Sequence, residues 1–251
     1  MIDCHCHLEQ EDFDKDRDEV IRRCKEHLKA VIVSCAHPDD FEKTMEMCKR
    51  YENFVFATAG IHPEYVKEIS EKQVEEFLDV LRKHKDCLVG IGEVGLDYWW
   101  IKEEEWRKKQ RDLFMKFIEL AKELKKPLVI HARDAFNDAV DMLESADAER
   151  VQMHMFGAHH LLKRVVENGW FVSLNTIVLR SKKHKKIARD IPLENLLIET
   201  DSPWLSPEGG RNTPLSVRIV IEKIAEIRKT SFEEIDEKTT ANAIRLFGLN
   251  L

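Results

Sequence analysis

The sequence is poor in the residues that break regular structure, and it has no long apolar run. Only 9 of its 251 residues are glycine and 7 are proline, which excludes a disordered or low-complexity chain. No apolar stretch approaches the roughly 20 residues of a transmembrane helix, and the first residues do not form a signal peptide. We therefore expect a soluble, cytoplasmic protein with no membrane partner, and we expect it to be a monomer.

Cysteine pairing motifs are also missing. The six cysteines all lie between Cys4 and Cys87, and no two of them are spaced as C-x-x-C. The absence of this motif argues against a zinc ribbon and against a thioredoxin-like redox site. In a cytoplasmic chain of this size, free and mostly buried thiols are expected.

The chain has no excess of positive charge. Its 40 Lys and Arg residues stand against 47 Asp and Glu residues, which gives a formal net charge of −7. A protein that binds nucleic acid by general electrostatic attraction is usually basic, so phosphate binding here must depend on local groups. The densest basic segment, Arg180–Lys186, is interpreted either as a phosphate-contacting rim or as a solvated helix face.

Short β-branched apolar runs alternate with longer amphipathic stretches along the whole chain. Strands that alternate with helices pair in parallel through right-handed crossovers, so the pattern predicts an α/β fold. Eight such units in about 250 residues favour a (β/α)8 TIM barrel over a doubly wound sheet. No linker composition divides the chain, and a single domain over residues 1–251 is predicted. The predicted strands are Ile2–Cys6, Ala30–Cys35, Phe54–Ala59, Cys87–Gly92, Pro127–His131, Val151–Met155, Trp170–Leu174 and Leu196–Thr200.

The first predicted strand ends in a pair of histidines, His5 and His7. Residues two apart in a strand share a face, so Asp3 and both histidines are expected to point one way and Cys4 and Cys6 the other. Two imidazoles at the mouth of a barrel are suitable ligands for a divalent metal. Taken alone, the same motif also fits a pair of hydrogen-bonded structural histidines.

Four further strand ends carry polar side chains, and their combination favours a metal site. Glu93, His131, His154 and Asp201 each follow or end a buried type of run, so all are expected at the same end of the barrel. Burying such groups together is costly unless they are paired or bind a cation. Four histidines and two carboxylates exceed the needs of one tetrahedral metal. A bridging carboxylate would let them hold two cations, an arrangement suited to phosphoester hydrolysis.

The motifs resemble those of the TatD family of metal-dependent deoxyribonucleases, which are TIM-barrel hydrolases of the amidohydrolase-like group. The resemblance spans nearly the whole chain in the segments Asp3–His7, Gly60–Pro63, Gly92–Tyr98, Ile130–Ala135, His154, Leu197–Pro203, Arg211–Pro214 and Thr240–Phe247. The chain departs from the family pattern at His159-His160 and at Asn175–Ile177, in segments expected where substrate enters.

The resemblance implies a role for each strand-end residue. His5, His7, Glu93 and Asp201 would hold one divalent ion, and Glu93, His131 and His154 would hold the second. Glu93 would then bridge the two ions, and Asp201 would orient or deprotonate the attacking water. The implied reaction is hydrolysis of DNA phosphodiester bonds, with single strands trimmed from the 3′ end.

Three further residues are candidates for substrate binding. His62, after the third strand, is predicted to contact a phosphate or a leaving group, or else to be a turn histidine before Pro63. Arg133 and Arg211 are predicted to pair with phosphate oxygens. The alternative for Arg133 is an ion pair with Asp134, and the alternative for Arg211 is a solvated charge in a loop.

Aromatic side chains follow the fourth strand. Tyr98, Trp99 and Trp100 can stack on exposed bases or pack under a loop.

The sequence leaves the metal and the substrate open. The two divalent ions are expected to be Mg, Mn or Zn. Histidine nitrogen donors favour Zn and Mn in affinity, whereas enzymes that act on phosphates commonly use Mg. The alternative function is a hydrolase of the same fold that cleaves an amide, a lactone or an aminoacyl ester such as a D-aminoacyl-tRNA. A non-enzymatic scaffold would predict a broken ligand set, whereas all six ligands are present.

Overall fold

A computed structural model describes residues 1–251 and contains one eight-stranded sheet. Every neighbouring pair of strands is parallel, and the strand order follows the chain from first to last. The predicted (β/α)8 TIM barrel is therefore confirmed. The strands are β1 (Ile2–Cys6), β2 (Ala30–Cys35), β3 (Val55–Ala59), β4 (Gly90–Asp97), β5 (Leu128–Arg133), β6 (Val151–Met153), β7 (Phe171–Leu174) and β8 (Leu196–Ile198).

A helix follows each strand, and one extra helix ends the chain. The helices are α1 (Arg17–Lys25), α2 (Phe41–Arg50), α3 (Glu71–Lys83), α4 (Glu104–Leu124), α5 (Phe136–Ser145), α6 (Leu162–Glu167), α7 (Lys182–Asp190), α8 (Val217–Arg228) and α9 (Phe232–Phe247). Helix α4 shows how local sequence sets these bounds. Acidic residues occupy its first turn, and a left-handed Lys125 ends it just before Pro127. None of the helices combines the length and the continuous apolar character of a membrane span.

The apolar side chains form two separate clusters, as expected for strands with one face toward the helices and one toward the barrel axis. The larger cluster contains 60 buried residues and lies between strands and helices. The smaller contains 11 buried residues, including Ile2, Ala30 and Leu197 from strand starts and Leu246 and Phe247 from α9. Helix α9 therefore lies against the amino-terminal end of the barrel, and the carboxyl-terminal end is left open for polar groups. All six cysteines are free and four of them are buried, as predicted.

Strand β1 contains a bulge that corrects the predicted alternation of side chains. Asp3 pairs with Val31 and Cys6 pairs with Val33, so two residues of β1 stand opposite the single residue Ile32. Asp3 consequently leaves the face of the histidines, and its carboxylate accepts hydrogen bonds from the backbone and the hydroxyl of Thr200 at 3.0 and 2.5 Å. The prediction that Asp3 shares a face with His5 and His7 is wrong because the bulge interrupts the period of two.

Strand β4 contains the same irregularity and extends further than predicted. Ile91 pairs with Leu128 and Val94 with Ile130, so two residues again stand opposite one. Its glycines Gly92 and Gly95 lie where the backbone of β5 comes very close to β4, and they do not end the strand. Gly95 lies at φ 144°, and a Cβ there would overlap the carbonyl oxygen of His131. The strand therefore continues to Asp97, and Glu93 lies in the middle of the strand rather than after its end.

Backbone hydrogen bonds between β1 and the segment after β8 close the barrel at its carboxyl-terminal end. The Asp201 amide donates to the His5 carbonyl at 3.0 Å, and the His7 amide donates to the Ser202 carbonyl at 2.7 Å. These bonds fix the relative positions of the first and last strand ends. Both ends supply candidate ligands, so closure of the barrel and assembly of the site are the same event.

The close approach at Gly95 makes a testable prediction about stability. Gly95→Ala is expected to lower the free energy of unfolding by about 3 kcal/mol or more, because it combines an unfavourable φ with a clash against the β5 backbone. The matched control is Gly169→Ala, at φ 72° with no atom within 4 Å of the added carbon. The control is expected to cost about 1–2 kcal/mol. Denaturant unfolding measures both, and equal losses would contradict the close approach.

Candidate metal centre

The six predicted ligands meet in one cluster at the carboxyl-terminal end of the barrel. They come from β1, β4, β5 and the segments directly after β6 and β8. The side chains of His5, His7, Glu93 and His154 are buried, whereas His131 and Asp201 keep some contact with solvent. The cluster is thus largely buried, and His131 and Asp201 are its members in contact with solvent.

One group of donor atoms has the spacing of a tetrahedral metal site. The Nε2 atoms of His5 and His7 are 3.0 Å apart and lie 3.2 and 3.6 Å from Glu93 Oε2. Asp201 Oδ1 lies 3.8 and 3.5 Å from the same two nitrogens. Metal–ligand bonds of about 2.1 Å place neighbouring donors of a tetrahedron about 3.4 Å apart. These four residues therefore fit one divalent ion.

A second group of donors surrounds the other oxygen of Glu93. His131 Nδ1 lies 2.9 Å from Glu93 Oε1, and His154 Nε2 lies 3.8 Å from it. His154 Nε2 is also 3.8 Å from Asp201 Oδ1, so the two groups are adjacent. The two carboxylate oxygens of Glu93 face different donors, which is the arrangement that a bridging ligand needs.

Three carboxylates that the sequence analysis left without a role stand behind the histidines. His7 Nδ1 lies 3.1 Å from Glu9 Oε1, His131 Nε2 lies 2.9 Å from Asp97 Oδ2, and His154 Nδ1 lies 2.9 Å from Glu199 Oε2. A carboxylate on the far nitrogen of a ligating histidine fixes the ring and raises its basicity. A spacing of two within or beyond a strand, as in His7-x-Glu9 and Glu199-x-Asp201, is the local signal that could have indicated two of them.

Glu199 is held by a network of buried donors. Its Oε1 accepts from the Met155 amide at 2.9 Å and from Asn175 Nδ2 at 3.2 Å, and its Oε2 accepts from Gln152 Nε2 at 3.2 Å. The carboxylate is fully buried, and such a charge is stable only when its oxygens are satisfied. Asn175 lies in one of the segments that depart from the family pattern, and its structural role is to donate a hydrogen bond to Glu199.

The electrostatics of the cluster are those of a cation site. Burial by itself would lower the pKa of each histidine, but hydrogen bonds with Asp97 and Glu93 outweigh it at His131 and raise its pKa to about 9. The charges of Glu199 and Glu93 likewise raise the pKa of His154 to about 10. Burial opposes ionisation of Glu93, yet the surrounding imidazoles hold its pKa well below the usual range. His131 and His154 thus retain protons where carboxylates favour positive charge, and divalent ions would replace those protons.

The backbone after β8 aims Asp201 into the cluster. Asp201 adopts a left-handed conformation at φ 59°, which is uncommon for a residue other than glycine. The turn is held by the Trp204 amide, which donates to the Asp201 carbonyl at 3.0 Å. Backbone strain of this kind is typical of functional positions.

The structure also brings His62 into the cluster. Its Nε2 lies 3.7 Å from Glu93 Oε1, and its ring centroid is 4.2 Å from that of His131. Burial lowers the pKa of His62 to about 3, so the ring is neutral. Its Nδ1 accepts a hydrogen bond from the Glu64 amide at 3.2 Å, which assigns the single ring proton to Nε2. His62 therefore presents an N–H donor to the site.

The two arginine candidates lie in different settings. Arg133 ends β5, two residues beyond His131, and its guanidinium carbon is 5.0 Å from the ring centroid of Trp99. Arg211 forms an ion pair with Asp16. Its guanidinium donates to both carboxylate oxygens of Asp16 at 2.7 and 2.6 Å and to the Asp12 carbonyl at 2.7 Å. Arg211 therefore holds the segment after β1, and its contact with a phosphate stays a prediction.

The basic segment forms the start of α7. Ser181 caps the helix by accepting from the His184 amide, and Lys182, Lys183 and Lys186 are exposed. The ammonium of Lys183 lies over Gly157, in the loop that follows His154. One end of the segment is therefore at the rim of the site, while its contact with phosphate stays a prediction.

Comparisons with known proteins agree with the fold. Residues 2–248 match the family described as TatD related DNase. Deoxyribonuclease TATDN3 of Homo sapiens is 36% identical over 258 residues, covering 98% of this chain and 94% of the human protein. The metal-dependent hydrolase YabD of Bacillus subtilis (strain 168) is 38% identical over 259 residues, covering 100% of both chains. The crystal structure of YjjV, a TatD homologue from Escherichia coli K12, has a TM-score of 0.92 at 25% identity, covering 100% of this chain and 98% of that one. The chain belongs to the TatD-related DNase family of metal-dependent hydrolases.

Proposed function

We propose that the protein is a two-metal deoxyribonuclease that hydrolyses phosphodiester bonds in single-stranded DNA and trims strands from the 3′ end. The observation that carries the proposal is the position of Glu93, whose two oxygens face two separate groups of nitrogen donors. Two adjacent cations can stabilise both the attacking and the leaving oxygen of a phosphoryl centre. The name of the human relative, deoxyribonuclease TATDN3, supports DNA as the substrate.

Two divalent ions, of Mg, Mn or Zn, are proposed as cofactors. His5, His7, Glu93 and Asp201 would hold one ion, and Glu93, His131 and His154 would hold the other. When bound, such ions supply Lewis-acid stabilisation of phosphate charge and lower the pKa of a coordinated water. Mixed nitrogen and oxygen donors suit Zn and Mn, whereas Mg prefers oxygen, so the donor set favours the first two in affinity.

Asp201 is proposed as the group that orients the attacking water and accepts its proton. Its Oδ1 faces His5 and His7, and no hydrogen bond occupies Oδ2. The side chain is 14% exposed, more than the buried Glu93, so a water molecule can reach it. The histidines hold the pKa of Asp201 below its usual range against the effect of burial, which keeps it ionised at neutral pH.

His62 and Arg133 are proposed to bind the substrate. The neutral His62 offers a proton at Nε2 to a non-bridging phosphate oxygen, and as a neutral ring it acts as a donor rather than as an acid. Arg133 stands at the end of β5 and can pair with the next phosphate along the strand. Together they hold the substrate from the side of the site opposite Asp201.

We further propose that the chain acts as one domain, as a monomer and in the cytoplasm. The free state of all six cysteines supports a reducing compartment.

The substrate class is tested by a turnover screen of protein reconstituted separately with Mg, Mn and Zn. The substrates are single-stranded DNA labelled at either end, duplex DNA, RNA, an amide, a lactone and a D-aminoacyl-tRNA. Release of 3′-terminal nucleotides from single-stranded DNA is expected to be the fastest reaction. Faster turnover of an amide, a lactone or an aminoacyl ester would instead identify the chain as a different hydrolase on the same fold.

The first prediction from this proposal concerns metal content. The wild-type protein is expected to bind two ions per chain, His154→Ala to retain about one, and Glu93→Ala to retain fewer than one, because Glu93 serves both donor groups. Elemental analysis of the reconstituted and desalted proteins measures the stoichiometry, and Glu68→Ala, an exposed acidic residue, is the control. Equal losses in the Glu93 and His154 variants would argue against a bridge.

The second prediction concerns proton transfer. Asp201→Asn keeps the shape of the side chain and one oxygen donor but removes the basic carboxylate. The kcat on single-stranded DNA is expected to fall by about 10²–10⁴-fold, with a smaller change in KM. Thermal unfolding and metal analysis are measured in parallel at saturating metal. A variant that folds, retains its metal and cuts within a few-fold of the wild type would show that another group accepts the proton.

The third prediction concerns the carboxylate behind His154. Glu199→Gln preserves the volume but removes the charge that orients the ring, and metal affinity is expected to fall by about 10- to 100-fold. Competition with a chelator measures the affinity. Glu144→Gln, which alters a carboxylate paired with Arg164 on the surface, is the control. Unchanged affinity in Glu199→Gln would mean that the hydrogen bonds of its neighbours alone position His154.

A further inference from the structure

The large aromatic side chains that the chain exposes are concentrated at the mouth of the barrel. Trp99 is 49% exposed, Trp100 is 60% exposed and Trp204 is 47% exposed. The first two directly follow β4, and the third follows β8. Exposed tryptophan is costly, and a group of them around a site marks a binding surface.

Trp204 stands directly beside the metal centre. Its ring centroid is 4.8 Å from that of His7, and the two ring planes are inclined at 60°. The Trp204 amide donates to the carbonyl of Asp201, so the side chain is carried by the same turn that positions the proposed proton acceptor. A flat ligand that covers this ring lies next to the bond that the site can cleave.

Trp99 and Trp100 form a second aromatic surface together with two cations. The guanidinium carbon of Arg133 is 5.0 Å from the Trp99 ring centroid and 5.6 Å from that of Trp100, and Lys102 Nζ is 4.9 Å from the Trp99 ring. The Trp100 amide donates to Asp97 Oδ1 at 2.8 Å, and the other oxygen of Asp97 binds His131. This surface is therefore anchored to the second donor group.

The two surfaces face different sides of the opening. Strand β8 lies four positions from β4 in the order of the sheet, so their following loops are on opposite sides of the barrel mouth. A chain that crosses the mouth passes one surface, then the metal centre, then the other surface.

We propose that these surfaces are two stacking sites for unpaired bases of the DNA strand being cut. Trp204 stacks on the nucleotide at the cleaved bond, and Trp99 with Trp100 stacks on nucleotides further along, while Arg133 and Lys102 pair with the phosphates between them. This inference rests on the proposed nuclease function and specifies its substrate as a strand with free bases. Bases in a duplex are covered on both faces and cannot stack in this way.

The combination of tryptophan rings with the cations Arg133 and Lys102 favours single-stranded DNA as the ligand of these surfaces. A single strand offers a flat aromatic base and an anionic phosphate at every step, and stacking on protein aromatics tolerates any base. An apolar protein partner would leave Arg133 and Lys102 without anions, and burying unpaired charges is costly. A lactone or an amide substrate is too small to reach both surfaces.

The test combines protein variants with base-free positions in the substrate. The variants are Trp204→Ala and the double variant Trp99→Ala/Trp100→Ala, with Trp106→Ala as the control. Trp106 is a half-buried tryptophan within α4 and belongs to neither of the two surfaces. Single-turnover cleavage is measured on single strands that each carry one abasic nucleotide at a different distance from the cleaved bond.

Each tryptophan variant is expected to raise KM on the normal strand by about five-fold or more, with kcat changed less, since stacking contributes to binding. In Trp204→Ala, the penalty for an abasic nucleotide at the cleaved bond is expected to disappear. In the double variant, the penalty is expected to disappear at more distant positions instead. Trp106→Ala is expected to behave as the wild type. Abasic profiles and KM values that match the wild type in both tryptophan variants would overturn the proposal.

A second measurement separates this inference from the proposed function. Titration of the metal-loaded proteins with oligothymidylate is followed by quenching of tryptophan fluorescence, which needs no cleavage. Weaker quenching and weaker binding in the two variants, but not in Trp106→Ala, support stacking even if the wild type cuts no DNA. Cleavage of DNA without these losses overturns stacking and leaves the nuclease function intact.

Discussion

A carboxylate buried among imidazoles is the interaction on which the rest of the structure depends. Glu93 is only 3% exposed, and an isolated charge at such a buried position would cost several kcal/mol. The cost is offset by the imidazoles of His5, His131 and His154, which lie around the Glu93 carboxylate. Asp97 and Glu199, on the far sides of the His131 and His154 rings, raise the pKa values of these two histidines. Any change that moves one of these strand ends by an ångström leaves a charge without its partner. The site and the barrel are therefore stabilised by the same contacts.

The sequence allowed the barrel and the meeting of six strand-end side chains to be predicted, because strand ends are marked by a simple change from apolar to polar residues. Strand faces were harder. A period of two places Asp3 with His5 and His7, but the bulge in β1 sends Asp3 to Thr200 instead. The bulge in β4 has the same effect around Glu93, and the glycines that make it possible appear in the sequence as a strand end. A bulge depends on pairing with the neighbouring strand, and that pairing is not encoded in the local pattern.

The remaining differences also arise from partners that are distant along the chain. Asp97 looks like an ordinary acidic residue in the sequence, and its contact with His131, 34 residues away and within 2.9 Å, appears only in the structure. The sequence also does not show the partner of Arg211: Asp16, 195 residues earlier, accepts hydrogen bonds from both terminal nitrogens of its guanidinium. His62 needed both kinds of information. The sequence placed it near the mouth, and only the hydrogen bond from the Glu64 amide assigns its proton.

The outer carboxylates connect the chemistry to the surface that surrounds it. Asp97 binds His131 with one oxygen and the Trp100 amide with the other, and the turn at Asp201 is closed by the amide of Trp204. One aromatic surface is thus joined to the candidate ligand His131 by two hydrogen bonds through Asp97, and the other is joined to the candidate ligand Asp201 by one. A base stacked on either surface, as proposed, would be positioned relative to the candidate ligands by these hydrogen bonds. Loop residues beyond these connections can change without moving the ligands, which is how one arrangement of ligands on a common barrel can serve different substrates.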